Sequence, residues 1–210
     1  MHLDGLTLKL RKNLPSWVRR TLRLARHVVT SGTPSGPLPG SLLQGCRMCA
    51  SRYELVSALP RGGAIAEIGT DKGEFAQHIL ATCDPGRLHL VDLDFSSLAR
   101  PLAQDTRVQL HEGRSHEVLA TFPDEHFDWI YIDADHSYEG VSRDANMAAS
   151  KIRKGGYLVF NDFAHMDPFL GAYGVHRAVV DFAASKGWQF AWFAYDPLAL
   201  YDVALRRPDV

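Results

Sequence analysis

The residues best suited to chemistry in this 210-residue chain are acids that stand where short apolar runs end. The first group is Glu67-Ile-Gly69-Thr70-Asp71-Lys-Gly73-Glu-Phe75, which closes the run Ala64 to Ile68. Its two glycines permit a tight turn and a close approach of a ligand to the backbone. The spacing is G-x-x-x-G, not the G-x-G-x-x-G of a dinucleotide site, and no Lys-Ser/Thr pair marks a phosphate loop. Glu67 and Asp71 would repel a pyrophosphate and welcome a cation. That chemistry points away from NAD and toward a sulfonium that also carries an amino group. The second group, Val91-Asp92-Leu93-Asp94, follows about twenty residues later, where an acid accepts the hydroxyls of a ribose. Asp92 is the better placed of the two acids, with Asp94 the alternate. Two more groups close later runs: Ile132-Asp133-Ala-Asp135-His136 and Val159-Phe160-Asn161-Asp162. Such residues also cap helices and bind turns, and Asp135 could cap the helix that follows it.

The elements that must position these groups alternate regularly. Strand-like runs fall at Ala64 to Ile68, Leu88 to Leu93, Val108 to Leu110, Phe127 to Ile132 and Tyr157 to Phe160. Helical stretches separate them at Glu74 to Ala81, Ser96 to Ala103, Ser115 to Thr121 and Glu139 to Ile152, after a first helix at Ser51 to Leu59. The alternation predicts a doubly wound, Rossmann-like α/β fold with right-handed crossovers. A helix at Val175 to Ser185 and two strands, Gln189 to Tyr195 and Ala199 to Arg206, complete the pattern. The short Asp196-Pro197 connection demands an antiparallel hairpin. The expected sheet therefore has seven strands, mostly parallel, with the last antiparallel. In such a sheet a ligand sits beyond the carboxyl ends of the strands, where the acids are.

Charge divides the chain. Residues 1–52 hold nine Lys or Arg against one acid, Asp4; the rest hold 14 bases against 23 acids. An acidic catalytic domain, taken as residues 51 to 210, is a poor nucleic-acid binder. The basic arm, residues 1 to 50, contains an amphipathic helix from Leu14 to Val29 and a Gly/Pro/Ser-rich linker at 31 to 40. Such a helix could touch an anionic membrane, but more often packs on its own domain or on a second subunit, which leaves a homodimer open. No run reaches the roughly 18 to 20 apolar residues of a membrane span, and no secretory signal core follows the N-terminus, so the expected compartment is the cytosol. Cys46 and Cys49 have C-x-x-C spacing, but Cys83 is the only other cysteine, too few for a four-thiolate zinc site. They read as small residues rather than as a redox pair.

The run EIGTDKGEF, the acid Asp92, the Gly113-Arg-Ser115 turn and the stretch DWIYIDADHSYEG together resemble a class I S-adenosylmethionine-dependent methyltransferase. More narrowly, the chain is similar to small bacterial enzymes related to the macrocin O-methyltransferase group. The fourth and fifth strands also look like those of catechol and caffeoyl-CoA type O-methyltransferases. The resemblance covers about Ser51 to Arg207. One departure is Asp71, which stands at the middle glycine of the usual E-x-G-x-G-x-G loop.

The resemblance implies that Glu67, Gly69, Thr70, Asp71 and Gly73 shape a pocket for the methionine moiety. It further implies that Asp92 holds the ribose, that Gly113 and Ser115 face the adenine, and that Asp133 lies at the cofactor. Asp133, Asn161 and Asp162 match the metal ligands of metal-dependent relatives, with the usual Asp-Asn order reversed at Asn161-Asp162. Three hard oxygen ligands with open positions suit Mg²⁺. His136, with an unperturbed pKa of about 6.5, is a candidate general base, with Asp135 the other proton acceptor and His165 a weaker one. The implied reaction moves a methyl group to a small acceptor, in first place a hydroxyl of a sugar or natural product. Three rivals remain: a same-fold enzyme that uses another cofactor such as a nicotinamide, against which the acidic loop argues, a cephalosporin hydroxylase-like relative, and a non-catalytic S-adenosylmethionine-binding protein.

Overall fold

A computed structural model describes residues 36–164, 166–167 and 171–209. The basic helix expected at Leu14 to Val29 lies outside the described residues, as does His165. In chain order the elements are a 3₁₀ turn (Gly40–Leu43), β1 (Arg47–Cys49), α1 (Arg52–Ser57), β2 (Ala64–Ile68), α2 (Glu74–Cys83) and β3 (Arg87–Asp92). These are followed by α3 (Arg100–Ala103), β4 (Val108–Glu112), α4 (Ser115–Ala120), β5 (Phe127–Ile132), α5 (Tyr138–Lys151) and β6 (Ile152–Phe160). A two-stranded ribbon of β7 (Met166–Asp167) and β8 (Gly171–Ala172) leads to α6 (Val175–Lys186), β9 (Gln189–Ala194) and β10 (Asp202–Arg206).

The main sheet runs β1-β9-β10-β6-β5-β2-β3-β4. The pairs β2–β3, β2–β5, β3–β4, β5–β6 and β1–β9 are parallel, whereas β10 is antiparallel to both neighbours. All seven expected strands are present, and the last in sequence is the antiparallel one. It does not take the edge but slots between β6 and β9. The eighth strand, β1, was not anticipated. It lies before residue 50, so the sheet begins inside the stretch assigned from sequence to the arm. Leu42 and Cys49 are buried there, and Cys49 donates its thiol hydrogen toward the carbonyl of Phe193. Burial pushes the Cys49 thiol up to about 11, with smaller contributions from Glu54 and Asp202, so it packs rather than reacts.

Period-two alternation explains how the strands bury both faces. Ala66, Ile130, Ile132, Leu158 and Phe160 pack with Val141, Ala145, Val179 and Phe182, placing α5 and α6 on one face. Ile65, Leu88, Trp129, Tyr131 and Val159 pack with Leu55, Phe75 and Ile79, placing α1 and α2 on the other. Burying each Leu, Ile or Phe stabilises by roughly 1.5 to 3 kcal/mol, so this two-sided core holds the strand ends rigidly. The helix expected to start at Ser96 starts only at Arg100. Ser96 instead donates its hydroxyl to Asp94 Oδ2 (2.6 Å), and its N–H to Asp94 Oδ1 (2.8 Å), a local turn that competes with helix. Pro101 then sits in the first turn of α3, where its missing N–H costs nothing. Among the described residues no helix is long and apolar enough to cross a membrane.

One buried cluster has a consequence for stability. His89 on β3 is 4% exposed, and its Nδ1 lies 3.0 Å from His111 Nε2, with His126 and Phe127 packed edge-on. Burial, then the neighbouring His111, His126 and Arg87, push the His89 imidazole down to about 4. Burial also lowers His111 and His126. The unfolded chain takes up these protons near pH 6.5 and the native state only well below it. The associated stability is complete above about pH 6.5 and is lost as pH falls toward 4. The melting temperature of His89→Leu is therefore expected to fall less between pH 7 and 4.5 than that of the wild type. Parallel pH profiles would contradict this origin.

Candidate functional site

The strand order reverses beside β2: the chain proceeds outward to β3 and β4, then returns to β5 on the other side. At such a switch point the loops after the strands diverge and leave a crevice. A cleft of about 1190 Å³ opens there, lined by Glu67, Gly69, Thr70, Asp71, Asp92, Gly113, Ser115, Asp133 and Asp135. Eight of the nine residues expected to meet a cofactor thus share one wall. The ninth, Gly73, does not line it. With φ at +80°, it caps α2, and a Cβ there would run into Leu102 and lie 2.8 Å from Leu98.

The glycine loop is held from below by Asp92. Its Oδ2 accepts the N–H groups of Thr70 and Asp71, each at 2.8 Å, and its Oδ1 accepts that of Leu93 at 2.6 Å. Asp71, which stands at the middle position of the loop, has φ +48°, a conformation that glycine adopts freely and that Asp tolerates better than most residues. Gly69 has φ +88°, and a Cβ there would lie 2.6 Å from the backbone carbon of Asp133, so the loops after β2 and β5 touch. Asp94 turns away to Ser96 and does not line the cleft. At the far end Ser115 donates to Asp144 Oδ1 (2.6 Å), a buried acid on α5. Asp144 was missed, although it falls on the apolar stripe of Val141, Ala145 and Ala148, where an acid demands a partner.

Glu67 is 2% exposed and its Oε2 has no hydrogen-bond partner. Burial, reinforced by the charges of Asp133 and Asp92, pushes its carboxyl up to about 8. It is therefore poised to ionise when a cation enters beside it.

Behind Asp133 stands a second group that does not line the cleft: His136, Asn161 and Asp162. Asn161 Nδ2 donates to Asp133 Oδ1 (2.8 Å). His136 Nε2 lies 3.4 Å from Asp133 Oδ1 and 3.8 Å from Asp162 Oδ2, ion-pair distances without an aligned hydrogen bond. Its ring stacks on Tyr173 at 4.5 Å. Burial lowers the His136 pKa, but Asp133, Asp162 and Asp135 together outweigh that and raise it. Asp135 does not take the capping role open to it from sequence: Ser137 is the N-cap of α5, its hydroxyl accepting the Gly140 N–H (3.0 Å), while Asp135 accepts the Ser137 N–H (2.9 Å) in the turn before the helix and walls the cleft.

Asp133 and Asp162 are of the hard-oxygen type that a divalent cation takes, and both lie near the His136 Nε2, at 3.4 and 3.8 Å. Asn161 does not fit as it stands. Its oxygen faces Arg52 NH1 (3.4 Å) and the Tyr131 hydroxyl (3.3 Å), and its amide nitrogen faces Asp133. Among the described residues no group of three His, Cys, Asp or Glu side chains has metal-site geometry. Tyr131 donates to Asp202 Oδ2 (2.5 Å). Burial, then Asp133 and Asp162, raise Asp202 to about 7 against the opposing effect of Tyr131 and Arg52. Arg52, Tyr131 and Asp202 gave no signal in the sequence, because their partners come from β5, β6 and α1 at once.

Structural comparison defines the fold first. A methyltransferase from Burkholderia thailandensis, solved with 1,6-didemethyltoxoflavin and S-adenosylhomocysteine, superposes with a TM-score of 0.57 at 15% identity, over 75% of this chain and 78% of that one. An S-adenosylmethionine-dependent methyltransferase from Mesorhizobium loti gives 0.55 at 17% identity, over 75% and 98%. The fold is that of the class I methyltransferases.

Sequence comparison narrows this to a family segment: residues 66–163 match the family described as a methyltransferase domain. A protein of Mycolicibacterium paratuberculosis provisionally named an O-methyltransferase is 35% identical over 89 residues, covering 39% of this chain and 40% of that protein. The chain thus spans about two fifths of the length of that curated relative.

Proposed function

We propose that the protein binds S-adenosylmethionine and transfers its methyl group to a small-molecule acceptor, in first place a hydroxyl oxygen of a sugar or natural product. The observation that carries this reading is the single cleft wall shared by Glu67, Gly69, Asp92, Gly113 and Asp133. When bound, the cofactor supplies an electrophilic methyl on a sulfonium, and Mg²⁺ would lower the pKa of an acceptor hydroxyl. Asp133 and Asp162 would hold that ion, and Asn161 orients Asp133. The Glu67 carboxyl stands beside the positive charge. Asp92 presents a carboxylate to the ribose and fixes the loop that covers the methionine end. His136 accepts the acceptor's proton, with Asp135 the alternate, and the flanking carboxylates stabilise the imidazolium that results. Kinship with the macrocin group rests on the EIGTDKGEF run, Asp92, the Gly113-Arg-Ser115 turn and the DWIYIDADHSYEG stretch.

Asp92→Ala removes the acceptor for the Thr70, Asp71 and Leu93 amides together with the ribose contact. Affinity for S-adenosylhomocysteine is expected to fall about 100-fold or more, charge-assisted hydrogen bonds being the strong ones. Asp94→Ala should change it by no more than about threefold, as a surface substitution does. The reverse order of effects would transfer the ribose role to Asp94.

A further inference from the structure

The cleft wall is rich in acids at its methionine end, yet one cation is built into it. Arg52, the first residue of α1, is half-buried and lines the cleft. Its guanidinium carbon lies over the Phe75 ring, 4.6 Å from the centroid, and 5.5 Å from that of the Tyr53 ring. A guanidinium carries five N–H donors. Only one long hydrogen bond is drawn from them, NH1 to Asn161 Oδ1 at 3.4 Å, and no carboxylate within ion-pair distance of Arg52 occurs among the described residues. A partly desolvated arginine with no carboxylate in ion-pair contact is an unusual arrangement, because its charge has lost water and is met only by the amide of Asn161 and the more distant charge of Asp202.

The other cations of the wall stand elsewhere. Arg114 and Arg143 flank Gly113, Ser115 and Asp144 at the opposite end, and Lys72 is exposed on the glycine loop. Arg52 is tied through Asn161 to Asp133, and its charge is felt by Glu67. It therefore stands at the end of the cleft where the amino acid of the cofactor would lie.

We infer that Arg52 is the anchor for the α-carboxylate of the cofactor's amino-acid end, the fork of its guanidinium pairing with the two carboxylate oxygens. This assignment rests on the cofactor reading above. The cation–π contact with Phe75 seats the guanidinium while leaving N–H groups to the ligand, and a lysine could not offer the two-pronged pairing. Glu67 beside it would face the ammonium, so the two residues together select a zwitterion over a bare thioether nucleoside.

The test uses calorimetric titration of the full chain with two ligands: S-adenosylhomocysteine, and the analogue that lacks only its carboxyl group. Arg52→Ala is expected to weaken S-adenosylhomocysteine by about 30-fold or more, the scale of a lost charge-assisted pair, and to leave the decarboxylated analogue within about twofold. Arg52→Lys keeps the charge and the fold; it should lose about tenfold on the first ligand alone. An arginine that merely supports the fold would weaken both ligands alike. That result, or undiminished S-adenosylhomocysteine binding in both variants, overturns the assignment. Failure of the wild type to bind either ligand would instead overturn the cofactor reading on which it rests.

Discussion

Replacing Gly69 by alanine is expected to destabilise the domain by about 4 kcal/mol or more, at the extreme of single substitutions. Two costs add. The residue has φ +88°, which strains any side chain by roughly 1 to 3 kcal/mol. A Cβ would also drive into the Asp133 carbonyl group, with its carbon only 2.6 Å away, and neither loop can yield easily. The Gly69 N–H is bound to the Val91 carbonyl (2.8 Å), and Asp133 N–H to the Ile68 carbonyl (2.8 Å). In a domain of this size the melting temperature should drop by about 10 °C or more. Gly187, at the end of α6, is the control: its φ is +70° but a Cβ there meets nothing within 4 Å. Gly187→Ala should cost only about 1 kcal/mol. Equal effects at the two positions would show that the loops after β2 and β5 are not in the described contact.

Asp162 carries the largest expected effect on activity. It closes β6 with φ +53° and faces His136 across 3.8 Å. If it helps to hold a divalent ion and to stabilise charge at the acceptor, Asp162→Ala should lower methyl transfer by about 10³-fold or more. The substrate for this assay is whichever member of a panel of phenols and sugar hydroxyls the wild type methylates. Mn²⁺ retained in equilibrium dialysis should fall together with turnover, while S-adenosylhomocysteine affinity stays nearly intact, because Asp162 does not line the cofactor cleft. Asp162→Asn separates chemistry from backbone: Asn tolerates the left-handed conformation but has lost the charge. It should fold like the wild type and still be slow. Full turnover in both variants would end the metal scheme.

Much of the architecture was legible because each strand is a short apolar run closed by a polar residue. β2 and β5 were placed without error, and the acids at their ends came together as the topology required. The cleft wall was legible for the same reason, since one rule about strand ends and switch points brings Glu67, Asp92 and Asp133 to one cleft. β1 escaped notice because Arg47-Met48-Cys49 is too short to show a period, and Met48 is 73% exposed. The helix α3 was read four residues too long at its start because helical spacing does not register the competing Asp94–Ser96 turn. Arg52 and Asp202 were invisible as site residues for a deeper reason. Each looks ordinary in its own element, and only the packing of α1 and β10 beside β5 and β6 brings them to Tyr131 and Asn161. The proposed metal set shows the opposite limit: the residue types converged, but Asn161 turned its oxygen to Arg52.

The most direct test of the central claim is calorimetric titration of the purified wild-type protein with S-adenosylhomocysteine, with and without Mg²⁺. The cleft predicts binding in the micromolar range in both conditions, with Mg²⁺ altering the heat if Asp133 and Asp162 hold it beside the cofactor. No heat in either condition would contradict the assignment of this cleft to S-adenosylmethionine.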